Sequence, residues 1–124
     1  MKKISEVMGK QQLLPIIQAD NEADGVAIAR AMSEAGLTTV EVVLRTEHSA
    51  KCISAIKAAL PHMIVSAGTV IDKASLDAAI NAGADFIVTP AVTERLLTML
   101  VASGLPVLPG VSNVSDIVLA REHG

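Results

Sequence analysis

Short runs rich in Val, Ile and Leu recur along this chain about every 21 to 26 residues, near 13–17, 39–44, 63–67, 85–88 and 106–108, and an amphipathic stretch fills each interval. Intervals of this length are too long for hairpins. They suit a helix that carries the chain from one strand to a parallel neighbour by a right-handed crossover. The 124 residues therefore predict one α/β domain over 1–124, five βα units long, with a short helix over 4–9 in front.

Boundary residues agree with that reading. Asn21-x-x-Asp24 and Asn113-x-x-Asp116 resemble capping boxes with Asp as the shorter relative of Glu, and Asp72 and Thr93 are N-cap candidates. Gly36, Gly83, Gly104 and Gly124 stand where helices should end in a left-handed residue, which glycine adopts cheaply. After Gly124 the same period places a sixth strand near position 127, so the architecture reads as truncated before that strand.

Composition narrows the class. Apolar residues make up 51% of the chain, yet there is no Trp or Tyr and only one Phe, Phe86, so the core must be aliphatic, as suits helices packed on a parallel sheet. A net charge of −3 and the lack of stacking platforms argue against nucleic acid. The longest apolar runs, 13–17 and 105–111, fall short of the roughly 20 residues of a membrane helix. Lys2 and Lys3 are followed by Glu6 and Lys10, which interrupt any signal-peptide core. The chain reads as cytoplasmic. Cys52 has no internal disulfide partner and lies one turn before Ile56 on an apolar helix face, a packing position.

Two folds accommodate five βα units. A doubly wound, flavodoxin-like domain needs no further strand. A receiver of that type, however, wants an acidic cluster after the first strand, an Asp ending the third and a Lys ending the fifth. Here Asp20 stands apart, Gly68-Thr69 ends the third and Pro109-Gly110 the fifth. A flavin-binding version wants a Ser/Thr/Gly-rich phosphate loop where this chain has Gln18-Ala19-Asp20-Asn21. The alternative is a (βα)5 section of a TIM (β/α)8 barrel, in which polar residues at the C-terminal strand ends converge on one mouth. Glu41, Arg45, Thr69, Thr89-Pro90 and Pro109-Gly110 occupy such ends.

The second strand carries the chemistry. Alternation along Val40-Glu41-Val42-Val43-Leu44-Arg45 puts Glu41, Val43 and Arg45 on one face. Burying an unpaired carboxylate costs several kcal/mol, so a solvated or functional pocket is the economical explanation. Glu41 paired with Arg45, Arg45 as a strand-end residue and Thr69 as a plain turn residue are the structural alternatives. Gly68 and Gly110 read as turn glycines rather than phosphate cradles, since neither belongs to a Gly-rich loop. His48, His62 and His123 show no metal-ligand spacing.

Several segments together resemble the 2-keto-3-deoxy-6-phosphogluconate and 4-hydroxy-2-oxoglutarate aldolases. They are Leu14-Pro15-Ile16-Ile17, the stretch from Val40 to Glu47, Ala67-Gly68-Thr69-Val70, Gly83-Ala84-Asp85-Phe86-Ile87-Val88-Thr89-Pro90 and Leu108-Pro109-Gly110-Val111. The resemblance covers nearly the whole chain, in family order, and corresponds to about the first three-fifths of a family member. It implies a class I lyase in which a lysine forms a Schiff base with pyruvate, without cofactor or metal. Glu41 would be the general acid/base, Arg45 and Thr69 carboxylate-binding groups, and Pro90 part of the pocket wall.

The lysine of that family stands on the sixth strand, in a Lys-Phe-Phe-Pro-like segment expected just after Gly124. Lys2, Lys3, Lys10, Lys51, Lys57 and Lys73 all fall on the N-terminal segment or on predicted helices. The expectation is a chain that is inactive alone and has open sheet edges. Such edges invite a homo-oligomer or a companion chain that completes the barrel. A non-catalytic, self-associating half-barrel is the alternative. Pyruvate and small 2-keto acids are the substrates the resemblance implies.

Overall fold

The structure is a computed structural model and describes residues 2–124. A short helix, α1 (Ile4–Met8), precedes five strands and five longer helices in strict alternation. The strands are β1 (Ile16–Ile17), β2 (Thr39–Val43), β3 (Ile64–Gly68), β4 (Phe86–Thr89) and β5 (Val107–Pro109). The helices are α2 (Glu22–Glu34), α3 (Glu47–Ala59), α4 (Lys73–Ala82), α5 (Glu94–Ala102) and α6 (Val114–Glu122).

All strands are parallel and their spatial order is β1-β2-β3-β4-β5. This order excludes the doubly wound alternative, in which the strand order reverses and helices fall on both faces. Sequential order with right-handed crossovers lays every helix on one face and leaves the other free to curl inward. The chain is a five-unit section of a TIM-type barrel.

Helix boundaries follow the sequence. Asn21, Asp72, Thr93 and Asn113 each cap a helix by accepting a hydrogen bond from the backbone N–H three residues on. The two Asn motifs close differently from a capping box. Asp24 takes the Asn21 side-chain amide at 2.8 Å, and Asp116 takes the N–H and hydroxyl of Ser112, because an Asp is too short to reach the cap's own backbone. Gly36, Gly83, Gly104 and Gly124 all have positive φ, between 77° and 97°.

One side of the sheet forms the main core. Ile17, Val40, Val42, Val65, Ala67 and Ile87 pack there against Ala29 of α2, Cys52, Ile53 and Ile56 of α3, Leu76 and Ala79 of α4, and Leu96 and Leu100 of α5. Cys52 seats α3 against α2: a Cβ on Gly25 would stand 3.2 Å from its Sγ. At the N-terminal strand ends Lys57 clasps the Asp85 carboxylate at 2.6 and 2.8 Å, and Asp85 also accepts from the Val65 N–H.

β1 is shorter than the apolar run at 13–17. Gln11 takes over the place of its missing first residues. Its side-chain oxygen accepts from the Thr38 and Thr39 N–H groups while its amide donates to the Leu13 and Thr39 carbonyls. Ladder contact with β2 begins only where the Glu41 N–H reaches the Pro15 carbonyl at 2.9 Å.

Candidate functional site

The face turned away from the helices is concave and carries a different residue set. Register aligns Ile16 with Glu41, Glu41 with Ser66, and Ser66 with Phe86, a row across four strands; the next row aligns Val43 with Gly68. Glu41 lies at the centre of this face, 7% exposed. Among the described residues its carboxyl meets no hydrogen-bond donor and no cation. Burial alone pushes its pKa above the ordinary value of 4.5. A carboxyl largely withdrawn from water, unpaired and inclined to hold a proton is equipped to give and take protons from a bound molecule.

The room for it comes from β3. A Cβ placed on Gly68 would overlap the Glu41 carboxylate, standing 2.9 Å from Cδ and 3.1 Å from Cγ. Gly68 is the last residue of β3 and has no left-handed φ, so the expected turn role is not why it is glycine. Gly110 departs from the turn reading for a similar reason. Its Cβ would come within 2.7 Å of the carbonyl oxygens of Thr89 and Pro90, and its N–H donates to the Thr89 carbonyl at 2.7 Å. Close approach of the β4 and β5 ends, rather than chain reversal, demands glycine there.

Thr69 follows Gly68 with φ of 61°, the one non-glycine residue of the described chain in the left-handed region. For a β-branched side chain that conformation costs about 1–2 kcal/mol. Flanking hydrogen bonds hold it: Leu44 N–H to the Gly68 carbonyl at 3.0 Å, and Val70 N–H to the Val88 carbonyl at 3.3 Å. Thr69 thus holds a strained φ at the end of a barrel strand, one residue from the seat of Glu41.

Arg45 is placed differently from the strand-alternation argument. β2 ends at Val43, and the Arg45 N–H turns back to the Val43 carbonyl at 3.0 Å, which breaks the two-residue period. Arg45 is therefore exposed and lines a small crevice with Gln18, Ala19 and Asp20 beyond the end of β1. It forms no ion pair with Glu41, so the structural alternative of a Glu41–Arg45 pair is not what holds the carboxyl. Pro90 is exposed at the same rim. Thr89 is buried, and its hydroxyl donates to the Ala91 carbonyl at 2.8 Å, closing the β4–α5 turn instead of facing the mouth.

The histidines are engaged elsewhere. His62 meets the Ser33 hydroxyl, His48 lies beside Glu47, and His123 bridges Glu94, Thr98 and the Leu119 carbonyl between α5 and α6. Among the described residues no three His, Cys, Asp or Glu side chains gather as a metal site, and no helix is long and apolar enough to cross a membrane. Lys51 and Lys57 lie on α3 and Lys73 on α4, on the helix side of the sheet, while Lys2, Lys3 and Lys10 flank α1, Lys2 and Lys3 lining a cavity with Pro106, Val107 and Pro109 at the β5 edge.

Comparison with known proteins agrees with this geometry. The 2-dehydro-3-deoxy-phosphogluconate aldolase of Pseudomonas aeruginosa is 41% identical over 122 residues, which is 98% of this chain and 56% of that protein. The crystal structure of the 2-keto-3-deoxy-6-phosphogluconate aldolase of Zymomonas mobilis superposes with a TM-score of 0.92 at 36% identity, over 99% of this chain and 59% of that one. A KDPG aldolase from Legionella pneumophila, captured with pyruvate as a covalent carbinolamine intermediate, gives 0.92 at 28% identity, over 99% and 60% of the two chains. The chain thus spans a little over half the length of the relatives it matches. The family description "KDPG and KHG aldolase" fits residues 4–124, and with the sequential parallel sheet and a mostly buried carboxyl on its concave face, the chain belongs to the KDPG and KHG aldolase family.

Proposed function

We propose that this chain supplies the acid/base and carboxylate-binding half of a lyase site that makes or breaks a carbon–carbon bond to give pyruvate. The observation that carries the reading is the Glu41 carboxyl, buried on the concave face without a partner of its own. In the class I reaction a lysine amine adds to the C2 carbonyl of the keto acid. Glu41 protonates the carbinolamine hydroxyl so that it leaves as water; as a carboxylate it then takes the C4 hydroxyl proton while the C3–C4 bond breaks, and gives that proton to C3 of the enamine. The Legionella relative's carbinolamine is the species on which the first of these transfers would act.

Thr69 and Arg45 at the strand ends would take the substrate carboxylate, and Pro90 would wall the pocket. The lysine is expected from the sixth strand. None of the six lysines present stands on a barrel strand, where the family's lysine is expected, so the 124 residues alone should not turn over. A companion chain or a second copy that covers the open edges would complete the site.

The test is a chimera in which residues 1–124 replace the matching part of the Zymomonas mobilis aldolase. Turnover of the phosphorylated keto acid, and a drop of about 100-fold or more in kcat with Glu41→Gln, are the expected results. The 124-residue chain treated with pyruvate and borohydride should gain no adduct. A folded chimera that traps pyruvate but keeps its kcat with Glu41→Gln would refute the role of Glu41. A folded chimera that does neither would favour the non-catalytic, self-associating half-barrel.

A further inference from the structure

We propose that Gly68 is a positioning residue for Glu41: by having no side chain it forms the niche that fixes where the carboxyl sits and how far it is withdrawn from water. The role in catalysis rests on the reading of Glu41 given above, while the niche itself does not.

Three observations carry the inference. First, all three atoms nearest a Cβ at Gly68 belong to one side chain, the Glu41 carboxylate and its Cγ. Second, nothing in the backbone requires glycine at Gly68. It ends a strand in an ordinary conformation, where glycine is a weak choice because it forfeits cross-strand packing. Third, neither residue can slide away. Gly68 is pinned to β2 by its register with Val43 and by the Leu44 N–H, and Glu41 is held between Pro15 and Ile16 on one side and Ser66 on the other. A methyl group at Gly68 must therefore be accommodated by rotating the Glu41 side chain out of the niche, onto the open face.

No charge on the flanking strands competes for that carboxyl. Ile16 on β1 and Ser66 and Gly68 on β3 are uncharged, and Arg45, the nearest cation along its own segment, forms no ion pair with it. Burial is the one cause of its displaced titration. Removing the niche should remove the displacement.

The experiment is a carbon-13 NMR titration of the Glu41 carboxyl in the 124-residue chain, its resonance assigned by its loss in Glu41→Gln. The native chain should titrate above 4.5, and Gly68→Ala should move the midpoint down toward that value. A thermal cycle runs alongside. Gly68→Ala should lower Tm in the native background and leave it nearly unchanged in the Glu41→Ala background, because the methyl group then has room.

An unmoved Glu41 midpoint, or the same Tm loss in both backgrounds, would overturn the proposal. If Gly68→Ala does not fold, the double variant decides: recovery of the fold on trimming Glu41 supports the niche, and continued failure refutes it. These readouts need no turnover. A confirmed niche alongside an unchanged Glu41→Gln chimera would leave Gly68 in place and reject the acid/base reading instead.

Discussion

Helix α3 and helix α6 both follow a strand, both start on a polar capping residue and both carry apolar side chains at helical spacing, yet they end in opposite environments. α3 buries Ser49, Cys52, Ile53 and Ile56 between the sheet and its neighbours. α6 buries none of its residues, and Val114, Ile117 and Val118 stand 75%, 47% and 49% exposed. The core and the side chains packed on it extend along the chain only as far as Val107. Local sequence is thus enough to write a helix, but whether its apolar face contributes stability depends on what lies against it. The candidate site sits at the well-covered end, where β2 and β3 are held on both sides.

The largest test of that contrast uses the same truncation in both helices. Ile53→Ala removes a fully buried side chain and should cost about 3–4 kcal/mol in urea unfolding, by lost transfer energy plus a cavity. Ile117→Ala should stay within about 0.5 kcal/mol. Comparable losses at the two positions would break the comparison, since they would mean that α6 is covered in solution by another copy or another chain.

A second test concerns sign more than size. The Glu41 pKa is raised by burial, so between 4.5 and its raised value the folded chain holds a proton that the unfolded chain has released. Stability therefore falls as pH rises through that window. Glu41→Gln should gain on the native chain as pH climbs above 4.5, and the advantage should be absent below it; unfolding midpoints at a series of pH values read this directly. Asp72 and Asp116 run the other way. Hydrogen bonds from Ser75 and Ser112 hold them below 3.8, so their contribution is present above that value and is lost as pH falls through the lowered one. A Glu41→Gln chain that is less stable than native at neutral pH would reveal a partner for the carboxylate and undo the account of it as desolvated and unpaired.

What the sequence disclosed follows the range of the physics behind it. Strand spacing, the Asn21, Asp72, Thr93 and Asn113 caps and the left-handed glycines are decided within a few residues, and all were legible. The position of Glu41 in a buried strand was legible too, because alternation is local. The same argument does not carry as far as Arg45, which lies beyond the end of β2, since periodicity does not say where a strand stops. β1 shrank because Gln11 and Pro15 supply its pairing, and nothing in those two residue types announces a clamp. The role of Gly68 lay out of reach for a different reason. It depends on the register between β2 and β3, which sets the Glu41 carboxyl beside a residue 27 positions away, in an arrangement that strand spacing alone does not specify.

The smallest expected effect separates local from global stability with two asparagine caps that make the same backbone bond. Asn21 accepts from the Asp24 N–H at 2.8 Å to start α2, and Asn113 accepts from the Asp116 N–H at 2.9 Å to start α6. Replacing either Asn by Ala forfeits about 1 kcal/mol of helix stability. α2 is locked to α3 through Gly25 and Cys52, so its loss should appear in the global unfolding midpoint. α6 has no buried residue to tie it to the cooperative core, so Asn113→Ala should leave the midpoint almost unchanged and instead raise amide exchange rates along Val114–Glu122 by about fivefold. Equal shifts in the global midpoint for Asn21→Ala and Asn113→Ala would show that α6 unfolds with the rest of the sheet. The exposure of its apolar stripe would then be no guide to how firmly this end of the barrel section is held.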